Sequence, residues 1–120
     1  MKVLIVDDSR VMRQIVTRTL RQAGYTDLSL VEASNGLEAF DAVQQHAPDL
    51  VLSDWNMPEM NGYDLLRSLR GRGHETPFGF VTSESTQEMR DRAAAAGALF
   101  LVVKPFTPES FKEALEPVLG

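Results

Sequence analysis

The stretch 51-VLSDWNMPEMNG-62 changes from an apolar strand to a polar loop at a single acid, Asp54. Residues 51–53 suit a buried strand, whereas the asparagines, proline and glycine that follow Asp54 suit a loop leading into a helix. An acid at such a junction either opens a turn or belongs to a functional site. The residues in the remainder of the chain distinguish between these two interpretations.

The composition is that of an ordinary globular protein. The chain has 120 residues, 43% hydrophobic and 24% charged, with a net charge of −5, so we expect a single domain over residues 1–120. It has no cysteine, which excludes disulfides and thiolate metal sites, and its two histidines are too far apart for a zinc pair. No apolar run reaches the roughly 18 residues of a membrane span, and no signal-peptide pattern opens the chain. Because a basic footprint is also missing, we expect a cytoplasmic protein without membrane or nucleic-acid partners.

Short apolar runs alternate with longer amphipathic ones along the chain. The predicted strands are residues 3–6, 28–31, 50–52, 78–81 and 99–103. The predicted helices are residues 10–23, 36–46, 62–71, 86–96 and 108–119. Strands that are apolar throughout suit a parallel sheet covered on both faces. Strict alternation therefore predicts an α/β fold, a doubly wound parallel sheet of five strands with five helices.

Capping residues support three of the predicted helix starts. Asn35 followed by Glu38 matches a capping box, and Ser85 followed by Glu88 repeats the pattern before the fourth helix. Thr107 precedes a proline, which is favoured in the first turn, and so predicts the start of the last helix.

Polar residues follow all five predicted strands, and Glu32 after the second adds little if that strand is outermost. Those after the other four strands include carboxylates, hydroxyls and a lysine. They are Asp7 and Asp8 after the first, Asp54 after the third, Thr82 and Ser83 after the fourth, and Lys104 after the fifth. In a parallel sheet all of these residues emerge at one edge, where ligands bind. Three carboxylates brought together repel one another unless a cation joins them. Oxygen ligands without Cys or His favour Mg²⁺, or Mn²⁺ in its place, and Mg²⁺ usually also binds phosphate oxygens.

The same residues suit phosphoryl transfer, which depends mainly on positioning and charge neutralisation. A carboxylate can act as the nucleophile and form an aspartyl-phosphate. Asp54 is best placed for this role because it stands alone after a central strand, while Asp7 and Asp8 would hold the metal. Lys104 and the Thr82 hydroxyl would contact the phosphate. Each residue alone has a plainer explanation, such as a turn or a helix cap, and only their joint position favours phosphorylation of Asp54 by an external donor.

Four segments, LIVDDS, SDWNMPEMNGYDLL, VTSES and VVKPFT, occur in this order along the chain. Together they resemble the receiver domain of two-component response regulators, over nearly the whole chain and most closely the stand-alone CheY-like chemotaxis regulators. The resemblance implies a flavodoxin-like sheet with strand order 2-1-3-4-5. It also implies a phosphorylation switch with a sensor histidine kinase or small phosphodonor upstream. The downstream protein target would bind the fourth helix, fifth strand and fifth helix.

The resemblance also implies the role of each metal ligand. Asp54 matches the phosphoacceptor, and Asp8 and Asp54 match the side-chain ligands of Mg²⁺. Asp7 is expected to assist through a water molecule. Asn56 matches the position whose backbone carbonyl completes the protein ligands of the metal.

Further roles concern the phosphoryl group and its lifetime. Thr82 and Lys104 match the hydroxyl and ammonium that contact the phosphoryl group, and the Lys104–Pro105 peptide is expected to be cis. The expected modulating positions are Asn56, Ser83 and Glu84, of which Asn56 and Glu84 match positions that influence how fast phosphate is lost.

One position departs from the family pattern. An aromatic residue is usual three positions before the lysine, whereas this chain has Leu101 there. The neighbouring Phe100 is aromatic, but strand alternation directs it to the opposite face. We therefore expect intact phosphoryl chemistry with an output face that signals differently or more weakly.

Other interpretations of the sequence stay open. A Mg²⁺-dependent phosphatase would turn over external phosphoesters through Asp54, and a flavodoxin-like cofactor binder is suggested by topology alone. Within the family, the chain could instead be a phosphate sink or the receiver fragment of a larger regulator. A monomer is expected, with a transient dimer on phosphorylation as an alternative.

Overall fold

The computed structural model describes residues 1–119, which form five strands and five helices in strict alternation. The strands β1 to β5 are Lys2–Val6, Ser29–Ala33, Leu50–Ser53, Phe78–Thr82 and Phe100–Val103. The helices α1 to α5 are Arg10–Gln22, Gly36–His46, Gly62–Gly71, Gln87–Ala96 and Pro108–Leu119. All neighbouring strands pair in parallel in the order β2-β1-β3-β4-β5, so the predicted fold class is confirmed. Within residues 1–119, no helix combines the length and the apolar character that crossing a membrane requires.

The central strands are buried on both faces of the sheet. In β1, β3 and β4 successive side chains point to opposite faces, and nearly all of them are buried. Leu4 and Phe80 pack in the cluster that includes side chains of α2, α3 and α4. Ile5 and Leu52 pack in the second cluster, which includes Phe111 of α5. This double coverage explains why the strands are apolar throughout.

Two of the three predicted helix caps are confirmed and one is wrong. The Asn35 side chain accepts a hydrogen bond from the Glu38 N–H at 2.9 Å, and Thr107 accepts one from the Ser110 N–H at 3.1 Å. At α4 the cap is Thr86, whose hydroxyl accepts from the backbone N–H three residues later at 3.1 Å. A cap at Ser85 would require the helix to begin one residue earlier than it does.

Strand β5 places its two successive large side chains on opposite faces of the sheet. Leu101 pairs with Phe80 and packs in the cluster beneath α4, whereas Phe100 pairs with Gly79 and packs in the α1–α5 cluster. The ring of Phe100 fills the space over Gly79, where an added Cβ would lie only 2.1 Å from a ring carbon. The prediction that Phe100 faces away from the Leu101 side is therefore confirmed.

Candidate functional site at the carboxyl edge of the sheet

Three carboxylates converge where β1 and β3 end. Val6 pairs with Ser53 in the parallel register, so Asp7 and Asp54 leave adjacent strands side by side. The Asp54 N–H donates to the Val6 carbonyl at 2.9 Å, which extends the ladder to the acid itself. One carboxylate oxygen from each of Asp7, Asp8 and Asp54 lies within 4.8 Å of the others. We call these three residues the acidic edge.

Lys104 reaches the acidic edge from β5, on the far side of β4. Its ammonium donates to Asp7 Oδ2 at 3.0 Å and to Asp54 Oδ2 at 3.3 Å. The side chains of Lys104, Asp7 and Asp54 are 15%, 5% and 13% exposed, so these contacts are shielded from solvent. The Lys104 N–H donates to the Thr82 carbonyl at 2.8 Å, and the Lys104–Pro105 peptide is cis. The lysine is thus held as the internal counter-ion of two carboxylates.

Opposing interactions act on the pKa of the Asp54 carboxyl group. Burial raises its pKa above the ordinary value of 3.8, Lys104 lowers it, and the neighbouring Asp7 raises it further. The Trp55 N–H donates to Asp54 Oδ1 at 2.7 Å and favours the charged form. A cation arriving beside Asp54 would also favour the carboxylate.

Asp7 and Asp8 differ in how firmly they are held. Asp7 is buried, and its Oδ1 accepts from the Ser9 N–H at 2.9 Å, while Ser9 caps α1. Arg13 donates from Nη1 to the Asp7 carbonyl at 2.5 Å and from Nε to Glu32 at 2.9 Å. Asp8 is exposed. Arg13 is a functional-site residue that the sequence pattern does not predict, since its position one turn after the cap is its only signal.

The Thr82 hydroxyl lies buried at the end of β4. The residue is fully buried, and its Oγ1 has no hydrogen-bond partner among residues 1–119. An unsatisfied buried hydroxyl is costly. Its position at the same edge as the carboxylates therefore suits a ligand that brings its own oxygen atoms.

The loops after β3 and β4 meet above the acidic edge. Asn56 donates from Nδ2 to Glu84 Oε1 at 3.2 Å, and both side chains are exposed. Ser83 is exposed in the same loop as Glu84. Leu101 does not join this group because it packs in the cluster beneath α4.

Gly62 does more than end the predicted loop before α3. Asn61 does cap α3, accepting from the Asp64 N–H at 2.8 Å. However, the Gly62 N–H donates to the Trp55 carbonyl at 2.8 Å, and a Cβ on Gly62 would lie 2.1 Å from the Asp54 carbonyl oxygen. Only glycine allows α3 to approach the backbone of Asp54 this closely. A glycine after an asparagine that already caps the helix was the available signal.

The donor set of the acidic edge fits a hard divalent cation. Its ligand atoms are carboxylate oxygens, and Mg²⁺ binds through one or two carboxylates together with waters and phosphate oxygens. The structure thus has an acidic cluster that could hold a metal, next to a lysine and a buried hydroxyl that could meet an anion.

This fold and this site define a class of signalling protein. The chain belongs to the response regulator receiver domain family, whose sequence profile matches residues 3–116. Chemotaxis protein CheY1 of Helicobacter pylori is 46% identical to it over 123 aligned positions that cover 100% of this chain and 98% of CheY1. The CheY homolog of Campylobacter jejuni is 43% identical, with 100% and 93% covered.

Solved structures give the same result. Chemotaxis protein CheY4 of Vibrio cholerae superposes with a TM-score of 0.85 at 38% identity, and the match covers 98% of both chains. The chain is therefore similar throughout to chemotaxis regulators of the CheY type. Receiver domains of this type are signalling proteins rather than classical enzymes.

Proposed function

We propose that this protein is a phosphorylation-dependent signalling switch that accepts a phosphoryl group on Asp54. The observation that carries the proposal is the contact of Lys104 with both Asp7 and Asp54 at the sheet edge, beside the unpartnered hydroxyl of Thr82. The donor would be a sensor histidine kinase or a small phosphodonor. Similarity to CheY proteins over the whole chain supports a single receiver domain that acts in a chemotaxis-like pathway.

In the proposed transfer, an Asp54 carboxylate oxygen forms a bond to phosphorus. The N–P bond of the donor phosphohistidine breaks and its electron pair stays on that ring nitrogen. The other ring nitrogen is protonated from solvent before transfer, so the imidazole leaves in neutral form. Lys104 would pair with a phosphoryl oxygen, and the Thr82 hydroxyl would donate to another. Both contacts position the group and offset its negative charge, which is the main requirement of phosphoryl transfer.

Asp8 and Asp54 would hold Mg²⁺ through their side chains, with Asp7 acting through water and Asn56 through its backbone carbonyl. Mn²⁺ would substitute because it accepts the same oxygen ligands. When bound, the ion supplies positive charge where negative charge gathers during transfer. Asp7 is already held by Ser9 and Lys104, which suits a supporting role, whereas the exposed Asp8 is free to turn toward the ion.

We further propose that the state of Asp54 is read on the surface formed by α4, β5 and α5. Leu101 lies on that surface, where α4 and β5 line a cleft of about 140 Å³ that also includes Ala93 and Ala94. A leucine fills less space there than the aromatic residue usual in the family. The switch would therefore operate through a smaller side chain at this position. In the loops above the acidic edge, Asn56 and Glu84 would influence the lifetime of the phosphoryl group.

Phosphorylation of the purified protein by acetyl phosphate tests the proposal. With Mg²⁺, intact-mass analysis should show one added phosphoryl group, whereas chelation of the metal should prevent it. Asp54→Ala should take up none, and Asp41→Ala, which removes an exposed acid from α2, should behave as the unmodified chain. Trp55 fluorescence should change with Mg²⁺ and again with the donor.

Two outcomes would contradict the proposal. Unchanged phosphorylation of Asp54→Ala would place the acceptor elsewhere. Repeated turnover of external phosphoesters, dependent on Asp54, would instead favour a Mg²⁺-dependent phosphatase.

A further inference from the structure

A groove of about 450 Å³ lies between α3 and α4, apart from the acidic edge. Tyr63, Arg67 and Arg70 of α3 line one side, and Ala95 and Ala96 of α4 line the other. The two alanines keep the α4 side shallow, so the groove has a small apolar surface beside strongly basic side chains. We call it the arginine groove.

Two guanidinium groups converge on one aromatic ring at this groove. The guanidinium carbon of Arg92 lies 4.5 Å from the Tyr63 ring centroid, and that of Arg67 lies 5.8 Å from it. Tyr63 is itself stacked on Trp55, with ring centroids 5.3 Å apart and planes 8° from parallel. The buried indole therefore fixes the tyrosine, and both guanidinium groups contact this one ring.

Within residues 1–119, neither of these guanidinium groups forms an ion pair. Across residues 1–119, ion pairs within 4.0 Å join only Arg13 to Glu32 and Lys104 to Asp7 and Asp54. Arg67 and Arg92 are exposed, and neither has a carboxylate at that distance. Most other basic side chains of residues 1–119 share this property, so what distinguishes Arg67 and Arg92 is their common contact with the Tyr63 ring.

Arg70 differs from Arg67 and Arg92 because its guanidinium group forms hydrogen bonds with backbone carbonyls. It donates from Nη1 to the His74 carbonyl at 2.9 Å and from Nη2 to the Gly97 carbonyl at 3.3 Å. The second bond links the end of α3 to the residue that caps α4. Arg70 thus joins α3 to the end of α4 along the groove, while the guanidinium groups of Arg67 and Arg92 lie over the ring of Tyr63, which lines it.

We propose that the arginine groove docks an acidic segment of a partner protein, with Arg67 and Arg92 pairing with its carboxylates. A carboxylate between the two arginines would relieve their repulsion and form charge-assisted hydrogen bonds. The tyrosine ring and the alanines would contact the apolar part of the same segment. Two exposed guanidinium groups form too small a basic surface for an extended polyanion such as nucleic acid, whose binding rests on many phosphate contacts.

The groove lies on the side of α4 that faces α3, so it shares only α4 with the proposed output surface, and docking there does not require phosphorylation. The two proposals can therefore fail independently. Asp54→Ala removes the acceptor and leaves the groove intact, so it should keep the docking activity.

An NMR titration of the ¹⁵N-labelled protein with a short capped oligoglutamate peptide tests the inference. Saturable shifts should be confined to α3 and α4 and should weaken as salt is raised. Arg67→Gln and Arg92→Gln should each weaken binding about 2- to 5-fold, the size expected for one exposed ion pair. Arg18→Gln makes the same charge change at an exposed position on α1 and should have no effect.

The other outcomes would overturn the proposal. An equal loss in Arg18→Gln would show that the peptide responds only to overall charge. Tighter binding of inorganic phosphate to the same residues would make the groove a small-anion site, and tighter binding of a single-stranded oligonucleotide would make it a nucleic-acid surface. Absence of saturable shifts would leave the two arginines as ordinary solvated side chains.

Discussion

The acidic edge and the arginine groove each bring together charges of one sign. The charges are neutralised by an internal counter-ion at the acidic edge, whereas they are left exposed to solvent at the arginine groove. At the acidic edge Asp7 and Asp54 are largely shielded from solvent and share an internal counter-ion, Lys104. At the arginine groove Arg67 and Arg92 are exposed, and their guanidinium groups contact the Tyr63 ring instead of a counter-ion. Buried charges without partners are very costly, whereas exposed ones are stabilised by water. Burial therefore decides which cluster must be neutralised within the protein and which can remain available to a partner.

The largest effect on stability should come from Lys104→Ala. Removing the ammonium leaves Asp7 and Asp54 facing each other without a counter-ion, which should cost about 3 kcal/mol of unfolding free energy. Urea unfolding at neutral pH without metal measures this cost. Saturating Mg²⁺ should restore part of the loss, since a ligand that binds the folded state stabilises it.

Lys112→Ala is the matched control for this variant because Lys112 is exposed on α5. Its unfolding free energy should stay within about 0.5 kcal/mol of the unmodified protein. If Lys104→Ala were equally mild, the contacts of Lys104 with the two carboxylates would be incidental, and the contrast between the two charged regions would disappear.

Asp54→Asn should have a smaller effect on stability than Lys104→Ala, and it should stabilise the protein instead of destabilising it. Below the ordinary pKa of 3.8 the carboxyl is protonated in both the folded and the unfolded chain, so its charge contributes nothing. Because burial raises the pKa of Asp54 in the folded state, the folded protein loses stability as pH rises through the interval above 3.8. The variant lacks this cost and should be more stable at neutral pH, by less than the stability that Lys104→Ala loses.

Parallel unfolding curves of both proteins from acid to neutral pH, in the presence of a chelator, measure the difference. The gap should open as pH rises and then become constant. Asp41→Asn, at an exposed position, should change the unfolding free energy at neutral pH by less than about 0.5 kcal/mol. A variant that loses stability at neutral pH would mean that the hydrogen bonds of Asp54 outweigh its burial.

The acidic edge could be foreseen from the sequence because parallel strands deliver the residues that follow them to one edge. Asp7 and Asp54 are brought together by the register of β1 and β3, which alternation of apolar runs already implied. Lys104 was placed in the same way, although β4 separates it from β3. What the strands do not determine is the close approach of Gly62 to Asp54, which depends on how α3 packs.

The arginine groove could not be foreseen in the same way. Arg67 lies four residues after Tyr63 on one helix, a spacing that brings side chains together, but Arg92 comes from α4 and meets the ring only through tertiary packing. No pattern of spacing records how α3 and α4 face each other. The missed cap at Thr86 has a related cause, since the start of α4 differs by one residue from the predicted start.

The smallest effect on stability should come from Arg92→Gln. This variant tests whether the fold depends on the arginines at the groove. An exposed cation over an aromatic ring contributes about 0.5–1 kcal/mol, so unfolding monitored by Trp55 fluorescence should show a loss in that range. Arg67→Gln, whose guanidinium lies farther from the ring of Tyr63, should lose less, and Arg18→Gln should lose nothing measurable. A loss as large as that of Lys104→Ala would mean that Arg92 stabilises the fold as an internal counter-ion does, and it would then not be available to pair with a partner's carboxylate.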